Sequence, residues 1–159
     1  MRLKGIMLKG EKMDERKEWV LNYENLEAIV KKPRNKNGFT KVLKLRNGKL
    51  YIKPFRKSSF KNNKELYVVA FTHKYLEDYK GKSQEWYKKQ FNDFMADEYD
   101  KLNSVLAITI GGWYNKKENS YNVDLGVITN DINTACYFVN KYKQQAGWDL
   151  LKKRELLCN

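Results

Sequence analysis

Cations interleaved with aromatic side chains can track a phosphate backbone while bases stack between them, and one stretch of this chain has that pattern. Thirteen basic residues lie between Lys31 and Lys64, among them Lys41, Lys44, Arg46, Lys49, Lys53, Arg56 and Lys57, and no acidic residue accompanies them. The formal net charge of the chain is +13, so the remainder sums to zero (13 − 13). Codon bias spreads lysine evenly and does not account for this concentration. Tyr51 and Phe55 fall among the cations. Lys and Arg there would neutralise phosphates, and Tyr51 and Phe55 would stack on exposed bases. The plainer reading is a solvated hairpin face in a lysine-rich protein.

A second set of residues could support metal-free ribonuclease chemistry. That reaction needs a base for a 2′-hydroxyl, cations for the developing phosphorane charge and an acid for the leaving oxygen. His73, Lys74 and Tyr75 at a strand end, with Glu98 or a hairpin arginine, supply those types. Against this, a lone histidine near a strand end is more often structural or solvated. Glu98, inside an apolar helical stripe, reads more simply as a helix-end residue reaching solvent or pairing with a lysine.

Other chemistries lack their residues. His73 is the only histidine, which excludes paired-histidine phosphoesterases, HExxH sites and Cys/His zinc sites. No GxxxxGK[ST], GxGxxG or GxSxG motif occurs. Carboxylates are sparse in the apolar strands, so no two-metal nuclease core is visible. No metal and no cofactor is expected.

These residues need elements to hold them. Asn47-Gly48 between Phe39–Arg46 and Lys49–Phe55 signals a hairpin, since a type I′ turn needs positive φ at both central positions. A two-residue loop sets Leu43 opposite Ile52 and Arg46 opposite Lys49. Alternation then places Phe39, Leu43, Leu45, Leu50 and Ile52 on one face. Val42, Lys44, Arg46, Lys49, Tyr51, Lys53 and Phe55 take the other. Arg46 and Lys49 form a like-charge pair that an anion would relieve.

Residues 14–30 mix helix and strand signals and end before Pro33. Glu65 to Thr72 reads as a buried strand. Ser83 caps a helix to about Leu102 with Tyr87, Phe91, Phe94, Met95 and Leu102 along one side. Val105 to Ile110 is a strand that Gly111-Gly112 bends, followed by a turn and the strand Tyr121 to Ile128. Asn130 or Asp131 caps a helix with Ile132, Ala135, Val139, Tyr142 and Ala146 inward, and Gly147 closes it before a short strand at Trp148. The order predicts a single α+β domain, mainly an antiparallel sheet with two principal helices packed on one face.

Gly112-Trp113, Tyr121 and Asp124, Asp131 and Ala135, Gln145-Ala146 and Trp148-Asp149-Leu150 carry a resemblance over about a quarter of the chain. The Gly111–Leu150 segment resembles the closing module of small phage and mobile-element accessory proteins. The resemblance implies a genomic setting more than an activity.

A chain of 159 residues suits one core, and no apolar run approaches the roughly 18 residues of a membrane span. Cys136 and Cys158 lack CxxC spacing and read as reduced thiols of a cytoplasmic protein. Abundant Lys, Asn, Tyr, Phe and Ile share AT-rich codons. Lys9-Gly10-Glu11-Lys12 before Met13 matches a translated ribosome-binding sequence, so Met13 is an expected natural start and residues 1–12 an extension or disordered. The leading expectation is a noncatalytic accessory protein binding RNA, single-stranded DNA or a nucleoprotein complex through the 31–64 region. The alternatives are a protein-binding inhibitor of a host or competing defence system, and the small ribonuclease.

Overall fold

The structure, a computed structural model, describes residues 18–159. The expected start at Met13 and the helical opening before Glu18 lie outside the described residues. Among the described residues eight strands form one antiparallel sheet in the order β1-β3-β2-β5-β6-β4-β7-β8. They are β1 Trp19–Val20, β2 Phe39–Arg46, β3 Lys49–Pro54, β4 Tyr67–Ala70, β5 Val105–Asn115, β6 Ser120–Thr129, β7 Gly147–Asp149 and β8 Arg154–Leu156. Three α-helices accompany them among the described residues: α1 Tyr23–Val30, α2 Gln84–Asp97 and α3 Ile132–Lys141.

The β2–β3 hairpin has the register that its turn chemistry dictates. Asn47 and Gly48 sit at φ 51° and 78°, and Leu43 pairs with Ile52, Lys44 with Tyr51 and Arg46 with Lys49. The turn is held from below by α2, whose Lys88 Nζ donates to the Gly48 carbonyl at 2.8 Å. Gln84 extends this tie. Its Oε1 accepts the Leu50 N–H at 2.7 Å and its Nε2 donates to the Leu21 carbonyl at 2.7 Å, so the first turn of α2 is stitched to the strands beneath the hairpin.

Alternation sends Leu43, Leu50 and Ile52, with Ile110, Val123 and Leu125, to a core shared with Leu26 and Ile29 of α1 and Tyr87 and Phe91 of α2. The same side continues as Tyr67, Val69 and Val127 against Phe94 of α2 and Phe138 and Val139 of α3. All three helices thus cover one face. The opposite face carries a smaller cluster of Val42, Leu66, Ile128 and Leu150, roofed by Phe55 and Phe60. The rest of that face, near the hairpin, is open.

Several boundaries differ from the sequence reading. Pro33 does more than end a helix, for it opens a 3-10 turn at Pro33–Asn35, a position where its missing N–H costs nothing. Gly111-Gly112 does not bend β5, which ladders with β6 through Asn115↔Ser120. A Cβ on Gly112 would lie 2.5 Å from the Asn122 carbonyl oxygen, and one on Gly111 2.8 Å from that of Phe39. The glycines permit close strands. Ser83 caps α2, accepting the Trp86 N–H at 3.2 Å, but the α-helix stops at Asp97 and continues as a 3-10 segment, Tyr99–Ser104. Asp131 caps α3. That helix ends at Lys141, Lys143 taking the left-handed conformation at φ 53°, so Gly147 opens β7 instead of closing a helix. Ile132, expected inward, is exposed.

The cysteine reading is corrected. Cys136 on α3 and Cys158 in the tail after β8 form a disulfide across a sequence separation of 22. Their spacing carries no local signal. The β7–β8 pairing turns the chain back, and Leu156 and Cys158 then pack against the Phe138–Val139 cluster, which brings the Cα of Cys158 to 5.4 Å from that of Cys136. Among the described residues no helix is long and apolar enough to cross a membrane.

Candidate nucleic-acid interface

The hairpin and the segment after it build a groove of about 420 Å3 on the open face. Lys44 from β2, Lys53 from β3 and Arg56 from the following loop line it, with Val42 and Ala107 beneath and Phe60 alongside. Lys44 and Lys53 are diagonal neighbours on one side of the ladder, a relation that sets residues about 7–8 Å apart. Lys44 and Arg56 are exposed and Lys53 half-buried. No ion pair neutralises any of the three among the described residues.

The structure sorts the remaining expected residues. Arg46 is committed elsewhere. Its Nη1 lies 2.6 Å from Glu18 Oε2, its Nη2 donates to Glu18 Oε1 at 3.1 Å, and its guanidinium sits 5.8 Å from the Tyr51 ring centroid. The anion that relieves the Arg46–Lys49 repulsion is therefore internal. Lys49 is exposed at the tip. Lys41, opposite Ile110 and Pro54, belongs to the helix-covered face and not with Lys44. Burial lowers its pKa from the ordinary lysine value, and the nearby Arg34 charge adds to this. Tyr51 is half-buried on the open face. Phe55 is not free to stack on a base, for its ring lies on Phe60 at 5.6 Å and 22° and roofs the small cluster. Lys57 is exposed at the start of the 3-10 turn Lys57–Phe60. Phe60, Leu106 and Ala107 went unrecognised in the sequence. Residues 106 and 107 reach the groove only because β5 pairs with β2, a long-range fact without a local signature.

The ribonuclease candidates do not converge. His73 is exposed, and its polar neighbour is Gln144, Nε2 to Nε2 at 3.3 Å. The Lys74 ammonium lies 5.6 Å from the Trp86 ring centroid, and the Tyr75 hydroxyl donates to Glu118 at 2.9 Å in another direction. Beside them Asp124 accepts the Lys74 N–H at 2.8 Å and the Thr72 hydroxyl at 3.2 Å. Burial raises its pKa, tempered by those two hydrogen bonds.

Glu98 is elsewhere and has a structural setting. Of the two expected settings it takes the lysine pair and not solvent, because its side chain is wholly inaccessible and clamps α2 to α3. Tyr142 donates to Oε2 at 2.5 Å and Lys141 Nζ lies 2.5 Å from the same atom. Burial pushes the Glu98 carboxyl up, but hydrogen bonds from Lys141, Tyr142 and Tyr137 outweigh it and hold the group below its ordinary value. A carboxylate with a depressed folded pKa contributes stability above its unfolded pKa of about 4.3 and loses it as pH falls through the lower folded value. Glu98→Gln should therefore cost about 1.5–3 kcal/mol at neutral pH, the scale of hydrogen bonds to a charged group. Its deficit relative to wild type should shrink as pH falls below about 4. Urea unfolding across that range is the measurement; a deficit independent of pH would mean that the charge contributes nothing.

Among the described residues no cluster of three or more His, Cys, Asp or Glu side chains is arranged to hold a metal ion. Fold and groove together define an α+β protein with a helix-covered sheet and a cationic, apolar-floored groove on its other side. Comparison with known protein families, with curated proteins and with solved structures finds no match.

Proposed function

We propose that this is a noncatalytic nucleic-acid-binding protein that holds RNA or single-stranded DNA, alone or within a nucleoprotein complex, along the groove beside the β2–β3 hairpin. The observation that carries the reading is the convergence of Lys44, Lys53 and Arg56 on one apolar-floored groove with no acidic partner among the described residues. Like charges gathered without counter-ions repel one another, and a bound polyanion turns that cost into binding free energy. The resemblance of the Gly111–Leu150 segment to phage and mobile-element accessory proteins supports a role in that setting, in the cytoplasm.

Salt dependence tests the electrostatic part. Each phosphate contact on a single strand contributes about −0.7 to the slope of log K against log salt. Three contacts should give a slope near −2 for a short labelled oligonucleotide titrated by fluorescence anisotropy. A flat dependence would refute phosphate tracking. A cellular partner that remains bound after nuclease treatment would point to protein recognition instead.

A further inference from the structure

The β2–β5 ladder ends at Leu43↔Ile108, yet β2 runs on to Arg46 and β5 begins at Val105. The two strands part there, and a register shift between Val105 and Ala107 turns β5 aside. Leu50 turns its N–H and C=O away from β2, to Gln84 and Leu21, so its partner Leu45 likewise turns its own away from β3, and among the described residues no strand meets them on that side. This splay forms the mouth of the groove. Leu45 and Leu106 stand at its lips, 60% and 37% exposed, Leu45 bordering the gap from the helix-covered side to which alternation turns it. Phe60 forms a wall, its ring position set by the stack on Phe55.

We propose that the splay takes one unstacked base of a single-stranded nucleic acid, with the flanking phosphates on Lys44, Lys53 and Arg56. The inference rests on the nucleic-acid reading and narrows it to single strands. Three chemistries meet at this place. Leucine lips and a phenylalanine wall suit the apolar faces of a base, and the unladdered N–H and C=O of Leu45 suit its polar edge. The cations suit phosphates on either side. A volume of about 420 Å3 falls within the roughly 300–1,000 Å3 of small-molecule sites, which is room for a base and not for a duplex. Nor can the hairpin enter a major groove as a free two-stranded ribbon does. β1 flanks β3 and β5 flanks β2, so the sheet is too wide.

The test compares four labelled probes of equal length by anisotropy: oligo-dT, oligo-rU, a duplex, and an abasic single strand with an unchanged phosphate count. The proteins are wild type, Phe60→Ala, Leu45→Ala and a Lys44→Glu/Lys53→Glu/Arg56→Glu triple variant. Leu45 is exposed, so its truncation leaves the fold intact should Phe60→Ala disturb the turn. Both single strands should bind at least about tenfold tighter than duplex and abasic probes, and either truncation should remove much of that margin while leaving abasic binding unchanged. Equal wild-type affinity for all four probes, or a margin that survives both truncations, overturns the base site and leaves the nucleic-acid reading standing. Binding by no probe, or binding indifferent to the triple reversal, overturns that reading and the base site with it.

Discussion

Replacing Lys44, Lys53 and Arg56 together by glutamate should weaken binding of a short single-stranded oligonucleotide about 100-fold at ~0.1 M salt. The magnitude follows from counterion release. Three lost phosphate contacts remove a slope of about 2 from log K against log salt, and one decade below 1 M salt that amounts to two powers of ten. Reversal adds repulsion, so the figure is a floor. Lys41→Ala is the matched control, because Lys41 stands on the helix-covered face opposite Ile110 and should leave affinity within about twofold of wild type. The reversed positions are exposed or half-exposed, so thermal unfolding should move little. Anisotropy beside a melting curve checks both halves. A triple variant that binds like wild type would place the interface elsewhere.

Opening the Cys136–Cys158 bond, by a dithiol reductant or by paired serine substitution, should lower stability by about 3 kcal/mol. That is the loop-closure entropy of the unfolded chain for a bridge spanning a separation of 22 residues. For a chain of this length it corresponds to a fall in Tm of roughly 6–12 °C. Protection should be lost first in the tail, whose folded contacts are few: Leu156 and Cys158 on the α3 cluster and the three-residue β7–β8 ladder. Hydrogen exchange with and without reductant would read this locally. A Tm unmoved by reductant would mean that tail packing alone holds β8. The groove, built from β2, β3, β5 and the Lys57–Phe60 turn, contains neither cysteine. Its affinity should therefore be the same in both redox states.

The hairpin was legible because every signal for it is local. Asn47-Gly48 supplies two left-handed residues, and the period-two pattern on each side leaves a single register that buries Leu43, Leu50 and Ile52. Ser83 and Asp131 were legible as caps for the same reason, each side chain bonding an N–H three residues on. The sorting of the cations was less so. Alternation separates Lys41 from Lys44, but nothing near Arg46 in sequence announces Glu18, 28 residues away, as its partner. Phe55 looks like a stacking platform beside Tyr51 until Phe60 is folded onto it. Glu98 was legible as a helix-end residue that reaches solvent or pairs with a lysine, but not which lysine, until α3 delivers Lys141 and Tyr142 to it.

Composition and spacing by themselves determined that the chain is α+β, that its excess charge lies between Lys31 and Lys64, and that the hairpin turns at Asn47-Gly48. Those properties arise from covalent neighbours, whose steric and hydrogen-bonding preferences act over a few residues. Strand order, the Cys136–Cys158 bond, the internal neutralisation of Arg46 and the groove between β2 and β5 were decided only by the tertiary structure. Each joins residues distant in sequence, and what joins them is the burial of one sheet face under three helices, which no local preference encodes.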